Sequence, residues 1–210
     1  MGLFDKKTCA VCGGQSGVIV GLFGADLAGG AYLCPGCRNK CTPGNLNFKN
    51  MTLDDVKANM AIADANKKKG STEFCSTRKI QTGAFRDRPF LDIDENHGWF
   101  MNTADNDGWV YSLDDIYFYG PEFETAKLEL GQSFHLDTYN YPELSKCPEG
   151  IRITAAKLKI LMVENELGVS QLSIDLLSGS SADENAVRGA CAAIHDFAEA
   201  VKAYKTNRKK

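Results

Sequence analysis

Cys9-Ala10-Val11-Cys12 and Cys34-Pro35-Gly36-Cys37 enclose a glycine-rich span from Gly13 to Leu33. Two cysteines separated by two residues present both sulfurs to one ion from a single tight turn. Two such turns joined by a hairpin close a tetrahedron, the arrangement that zinc takes with thiolate sulfur. Gly13 and Gly14 follow the first pair directly, where glycine lets the backbone turn beneath a metal at low steric cost. Cys9, Cys12, Cys34 and Cys37 are therefore read as ligands of zinc. A site closed by four thiolates keeps no position open for water, so the zinc is expected to be structural. The competing readings are two disulfides or free buried thiols. Cys41 is read as a spare thiol, with substitution for a neighbouring ligand as the alternative.

Around these pairs, Gly17-Val18-Ile19-Val20-Gly21 and Gly30-Ala31-Tyr32-Leu33 are expected to form a hairpin. Leu33 to Lys40 is expected to be a turn feeding a short helical segment, stopped by Pro43-Gly44. That order suggests a zinc ribbon or treble clef.

The chain has 210 residues, 43% of them hydrophobic and 24% charged, the balance of a globular protein with one ordinary core and a small module. No run of about 18 apolar residues exists, so no transmembrane segment is expected. Met1 to Lys7 lacks an apolar signal core, and a cytoplasmic, reducing location is expected. Gly2 suits myristoylation, but Lys6 stands where serine or threonine is preferred.

The net charge of −3 is unevenly spread. Residues 1–48 carry +2, residues 49–88 carry +4, residues 89–150 carry −11 and residues 151–210 carry +2. The acidic middle repels phosphate backbones, leaving only the N-terminal part or the basic tail to meet nucleic acid.

A helix is expected from Thr52, with Thr52 and Asp55 as a capping pair and Leu53, Val56, Met60 and Ala63 as a narrow apolar stripe. Lys67, Lys68 and Lys69 suit its negative end, and Gly70 is expected to terminate it. From Ser71 the period shifts towards two. Strands are expected at Phe74–Ile80, Phe90–Ile93, Trp99–Met101, Trp109–Ser112 and Ile116–Tyr119, the last ending at Gly120-Pro121. Lys127–Leu130 and Ser133–Leu136 alternate less cleanly. Ile151–Thr154, Lys157–Val163 and Gln171–Leu177 are the strongest strand candidates. Many short strands argue for an antiparallel barrel or sandwich. A last helix from about Ala182 to Tyr204 is expected to be capped by Ser181 and Glu184. Its face of Val187, Cys191, Ile194, Phe197, Ala198 and Val201 should bury itself, most simply across an open end of the barrel.

The opening Met-Gly-Leu-Phe-Asp-Lys-Lys, the cysteine pairs, the helix with lysines at its end and the Phe74-x-x-Thr77 strand resemble a bacterial domain-of-unknown-function family. Its members carry an N-terminal zinc-ribbon-like module, often followed by a β domain similar to pleckstrin-homology (PH) folds. Phe90 to Asp94 and Tyr111 to Ile116 look like paired strands of such a domain. The resemblance implies Cys9, Cys12, Cys34 and Cys37 as ligands and implies no activity. Together these readings give an α+β chain. Residues 1–48 form the zinc-ribbon-like module, residues 49–70 a linking helix, and residues 71–210 a PH-like β-barrel or sandwich capped by the C-terminal helix.

Other chemistry is weaker. His97, His135 and His195 are widely separated and read as surface or satisfied histidines. Asp92-x-Asp94-x-Asn96 begins like a calcium loop, but His97 takes the glycine position and Thr103 the place of the bidentate glutamate. Asp92 and Asp94 are expected on the outer face of a strand. Asp105 to Gly108 reads as a turn. Cys75, Cys147 and Cys191 read as core or spare thiols. Phosphate loops and nucleophile elbows are absent. The function expected is that of a non-enzymatic, zinc-stabilised adaptor that binds protein. The alternatives are anionic lipid or nucleic acid held by Lys67–Lys69 or the basic tail, and an enzyme whose site the sequence does not display.

Overall fold

The computed structural model of the chain describes residues 6–17, 23–82, 90–103, 108–178 and 182–208. The architecture is mixed α+β with antiparallel sheets and a C-terminal helix. Two compact units are present. One takes the residues through Lys69 together with Glu164–Val169; the other takes Gly70–Val163 and the chain from Ser170.

In the first unit, β1 (Lys7–Thr8) pairs with β2 (Gln15–Ser16), and β3 (Ala25–Asp26) pairs with β4 (Tyr32–Leu33). Tyr32 and Leu33 pair with Asp26 and Ala25; residues 18–21 of the expected 17–21 strand lie outside the described residues. One turn of helix, α1 (Pro35–Arg38), follows β4. The long helix α2 spans Leu53–Thr72. Its start is closed reciprocally: the Thr52 N–H donates to Asp55 Oδ2 at 2.8 Å and the Asp55 N–H donates to Thr52 Oγ1 at 3.2 Å. Val56 is wholly buried in a core with Cys9, Leu27, Leu33, Cys37 and Cys41, and Leu53 and Met60 pack against it. Asn59 ties the helix to Thr42 through two hydrogen bonds of 2.9 Å.

Gly70 does not end α2, which continues to Thr72. A Cβ at Gly70 would sit 3.0 Å from the Gly108 carbonyl oxygen and 3.2 Å from Val110 Cγ2, so glycine here serves close packing within the second unit and not termination.

The second unit begins with a four-stranded antiparallel sheet in sequential order: β5 (Arg78–Ile80), β6 (Leu91–Asp94), β7 (Trp99–Asn102) and β8 (Val110–Ser112). A three-stranded antiparallel sheet follows, made of β9 (Ile116–Lys127), β10 (Ile151–Met162) and β11 (Gln171–Ser178) with β10 in the centre. These are two separate sheets; no closed barrel forms among the described residues.

Two expectations fail at β9 and β10. Gly120-Pro121 does not stop β9, because β9 lies at the sheet edge, where a residue without an N–H is tolerated; Pro121 simply sits opposite Leu158. The two strand candidates at 151–154 and 157–163 are one strand, with register shifts at Ile153/Ala155 against β9 and Ala156/Lys157 against β11. Bulges there restore the alternation that a straight period-two count loses. Beyond Lys127, residues 128–136 form no strand.

Helix α3 spans Glu184–Asn207. Its cap is Asp183, whose Oδ1 accepts the Ala186 N–H at 2.7 Å, in place of the expected Ser181, which lies outside the described residues. Of the expected face, Val187, Cys191, Ile194, Phe197 and Val201 are buried and Ala198 is half-buried. Phe197 meets Phe100 of β7 edge-on at 5.9 Å and Tyr119 of β9 edge-on at 5.7 Å, so one side chain joins the helix to both sheets. No described helix is long and apolar enough to cross a membrane.

Candidate metal centre

The Sγ atoms of Cys9, Cys12, Cys34 and Cys37 lie within 4.8 Å of one another. Two local turns bring them together. Leaving β1, the chain folds back so that the Cys9 N–H donates to the Gly14 carbonyl at 2.9 Å and the Gly13 N–H donates to the Cys9 carbonyl at 2.8 Å. Gly13 closes this turn at φ +70°, a conformation costly for any residue with a Cβ. The second pair straddles the start of α1: Cys34 is its cap and Pro35 its first residue. The main chain of one turn also serves a sulfur of the other, since the Cys34 N–H points at Cys9 Sγ at 3.4 Å. The Cys37 N–H points at Cys34 Sγ at the same distance.

The spacing suits a metal. Zinc–sulfur bonds of about 2.3 Å in a tetrahedron require sulfurs about 3.8 Å apart. Cys12 Sγ and Cys34 Sγ are 3.8 Å apart. Cys9 and Cys37 are buried, Cys34 is half-buried and Cys12 is exposed, so the group sits at the rim of the module's core. Burial raises the Cys9 thiol, but the N–H groups of Cys34, Cys12 and Val11 outweigh it and bring the group down to about 6. Burial pushes the Cys37 thiol up, and the neighbouring Cys12, Cys34 and Cys9 push it further. A divalent cation held by the four sulfurs would favour the thiolate form of all of them, Cys37 included. The donor set is four sulfurs and is able to hold a metal ion, zinc among them.

Cys41 is buried, its Sγ lies 3.8 Å from the Cys37 carbonyl, and it is not one of the four clustered sulfurs. Burial raises its thiol.

The chain matches no protein-family model, no curated protein and no solved structure.

The other sequence candidates are distributed over the second unit. Asp94 is a correction: it is wholly buried, not on an outer face. It ends β6, and its carboxylate folds beneath the turn, accepting the N–H groups of Cys75 at 2.9 Å and of Asn96 and His97 at 3.1 Å. His97 Nδ1 lies 2.7 Å from Asp94 Oδ2, and the His97 ring stacks on Trp99 at 4.5 Å. Burial raises the Asp94 carboxyl, but these donors outweigh it and hold the group below the usual carboxylate range. An aspartate placed two and three residues before turn N–H groups is an Asx pattern, and Asp94-Glu95-Asn96-His97-Gly98 displays it; that signal was legible in the sequence. His195 Nε2 pairs with Glu143 Oε1 at 3.0 Å, and the His135 N–H donates to Glu184. Cys191 is buried and its thiol is pushed up to about 12 by burial, with nearby carboxylates and Cys147 adding to the rise; it is a core thiol.

Proposed function

We propose that this chain is a cytoplasmic, zinc-stabilised adaptor that binds protein and performs no catalysis. The observation that carries the metal assignment is the convergence of four sulfurs within 4.8 Å of one another, with Cys9, Cys12, Cys34 and Cys37 as the ligands. The zinc is structural in this reading, because four protein thiolates leave no ligand position for water or substrate. Reduced cysteines are required for such a site, which favours a reducing compartment.

The first unit reads as a zinc-ribbon-like module and the second as a PH-like domain of the bacterial family resembled above. The PH-like assignment rests on element order: four strands of one sheet, three of another, then a C-terminal helix packed on both. With a rigid two-sheet platform and a closed metal site, the chemistry available is recognition.

Elemental analysis of the chain purified without chelator tests the metal. One zinc per chain is expected; no zinc, with the four cysteines oxidised in pairs, overturns the assignment. The adaptor reading is tested by identifying proteins that co-purify stoichiometrically with the tagged chain from its native cell.

A further inference from the structure

We propose that the free edge of β9 is a strand-addition site for an extended, basic peptide segment. This inference rests on the adaptor reading and names the surface that would serve it.

Strand β9 is twelve residues long and pairs with β10 alone among the described residues. Natural sheets keep such edges short or guard them with charge and proline, because the unpaired N–H and C=O groups invite another strand. Here the guards, Pro121, Glu122, Glu124 and Lys127, stand in the second half of the strand, and Ile116 to Gly120 carries neither charge nor proline. The strand instead displays aromatic surface, with Tyr117 65% and Phe118 50% exposed. Gly120 makes room for the Phe118 ring, since a Cβ there would lie 3.3 Å from Phe118 Cζ.

A groove of about 400 Å³ runs beside this strand. Phe118, Gly120 and Phe123 of β9 line it together with Glu143, Lys146 and Cys147. Phe118 and Phe123 are five residues apart and so point to opposite faces of β9, yet both border the groove. A groove bordered from both faces follows the edge of the strand. Its lining is anchored to α3, because Glu143 pairs with His195.

Charge selects the occupant. Residues 116–150 carry six carboxylates against two lysines. Glu122 and Glu124 alternate along one face of the exposed strand, and Glu124 is shared with Lys157. A second copy of this chain would bring the same acidic surround to the interface, which like-charge repulsion disfavours. An added strand with lysine or arginine opposite Glu122, and apolar side chains between, satisfies the edge amides, the groove and the charge together.

The test uses the full chain and a fluorescent peptide of about ten alternating lysine and valine residues. Two further peptides serve as controls, one with glutamate for lysine and one N-methylated at alternate amides. Saturable binding of the lysine peptide is expected by fluorescence anisotropy, weakened by about tenfold or more in either control. Phe118→Lys, at an exposed position, should weaken it by about tenfold with the melting temperature unchanged. Amide exchange of residues 116–127 should slow when the lysine peptide binds. No binding, equal binding of the N-methylated peptide, or an unaffected Phe118→Lys variant overturns the proposal. So does a dimer on gel filtration that Phe118→Lys dissociates, which would make the occupant a second copy. A native partner retained by Phe118→Lys would leave the adaptor reading standing and remove this site from it.

Discussion

Phe197 joins the C-terminal helix of the second unit to both of its sheets. It is wholly buried on α3 and packs edge-on against Phe100 of the four-stranded sheet and Tyr119 of the three-stranded sheet. Truncating a buried phenylalanine to alanine costs about 3–5 kcal/mol, through lost transfer free energy and an unfilled cavity. Each edge-on aromatic contact contributes about 0.5–1.5 kcal/mol within that loss. The second unit has about 135 residues. At about 2.1 cal/mol/K per residue its unfolding entropy is about 0.28 kcal/mol/K, so a loss of about 4 kcal/mol lowers its melting temperature by about 14 °C. Thermal unfolding of Phe197→Ala by circular dichroism measures this, with Lys202→Ala as the control. Lys202 is exposed, and the bond its carbonyl accepts from the Thr206 hydroxyl does not involve its side chain, so its truncation should shift the melt little. A Phe197→Ala melt within about 2 °C of the parent would refute the packing account, since a shift that small corresponds to well under 1 kcal/mol.

Cys34→Ser should remove bound zinc and unfold the first unit, including the first turns of α2, while leaving the second unit protected; hydrogen exchange resolved along the chain measures both parts. Asp94→Asn should destabilise the second unit by about 1.5–3 kcal/mol at neutral pH, read from urea unfolding, because buried donors lose a charged acceptor. The Asp94 carboxyl is held below its unfolded value, so its contribution is complete above about pH 4 and is lost as pH falls through the depressed folded value. The parent should therefore lose stability in acid more steeply than Asp94→Asn, and parallel acid titrations would contradict this. Gly98→Ala should cost about 1–3 kcal/mol by the same urea assay, since Gly98 sits at φ +69° and a Cβ would meet the Tyr204 ring.

What was legible in the sequence was whatever a few neighbouring residues decide. The Thr52–Asp55 cap and the apolar face of α3 follow from local hydrogen bonding and a 3.6-residue period, and both are present. Strand limits were less legible because pairing partners set them. Gly120-Pro121 has the composition of a turn, yet β9 continues through it because the strand has a neighbour on one side only. The division of β10 into two candidates came from bulges that shift the alternation by one residue, which only the partner strands reveal. Asp94 was misplaced for a related reason. Alternation around Ile93 puts an aspartate outside, but the end of a strand is also the start of a turn, and the turn amides offered the stronger interaction.

The candidate metal centre follows the same logic at a smaller scale. Of the six buried residues in the cluster around the sulfurs, three are cysteines: Cys9, Cys37 and Cys41. Leu27, Leu33 and Val56 are the others, and each fully buried aliphatic side chain contributes only about 1.5–3 kcal/mol before the ordering entropy is counted. The β1–β2 and β3–β4 hairpins have two residues per strand, too few to hold together in water alone. Two turns that gather four sulfurs within 4.8 Å of one another make sense in such a module if an ion supplements the small core. The spacing of the cysteines was readable because that demand is local and geometric. The strand at Tyr32–Leu33 was readable too, within the expected Gly30–Leu33, whereas its partner Ala25–Asp26 was not, because with so little apolar surface such short strands take their places from the turns that carry the sulfurs.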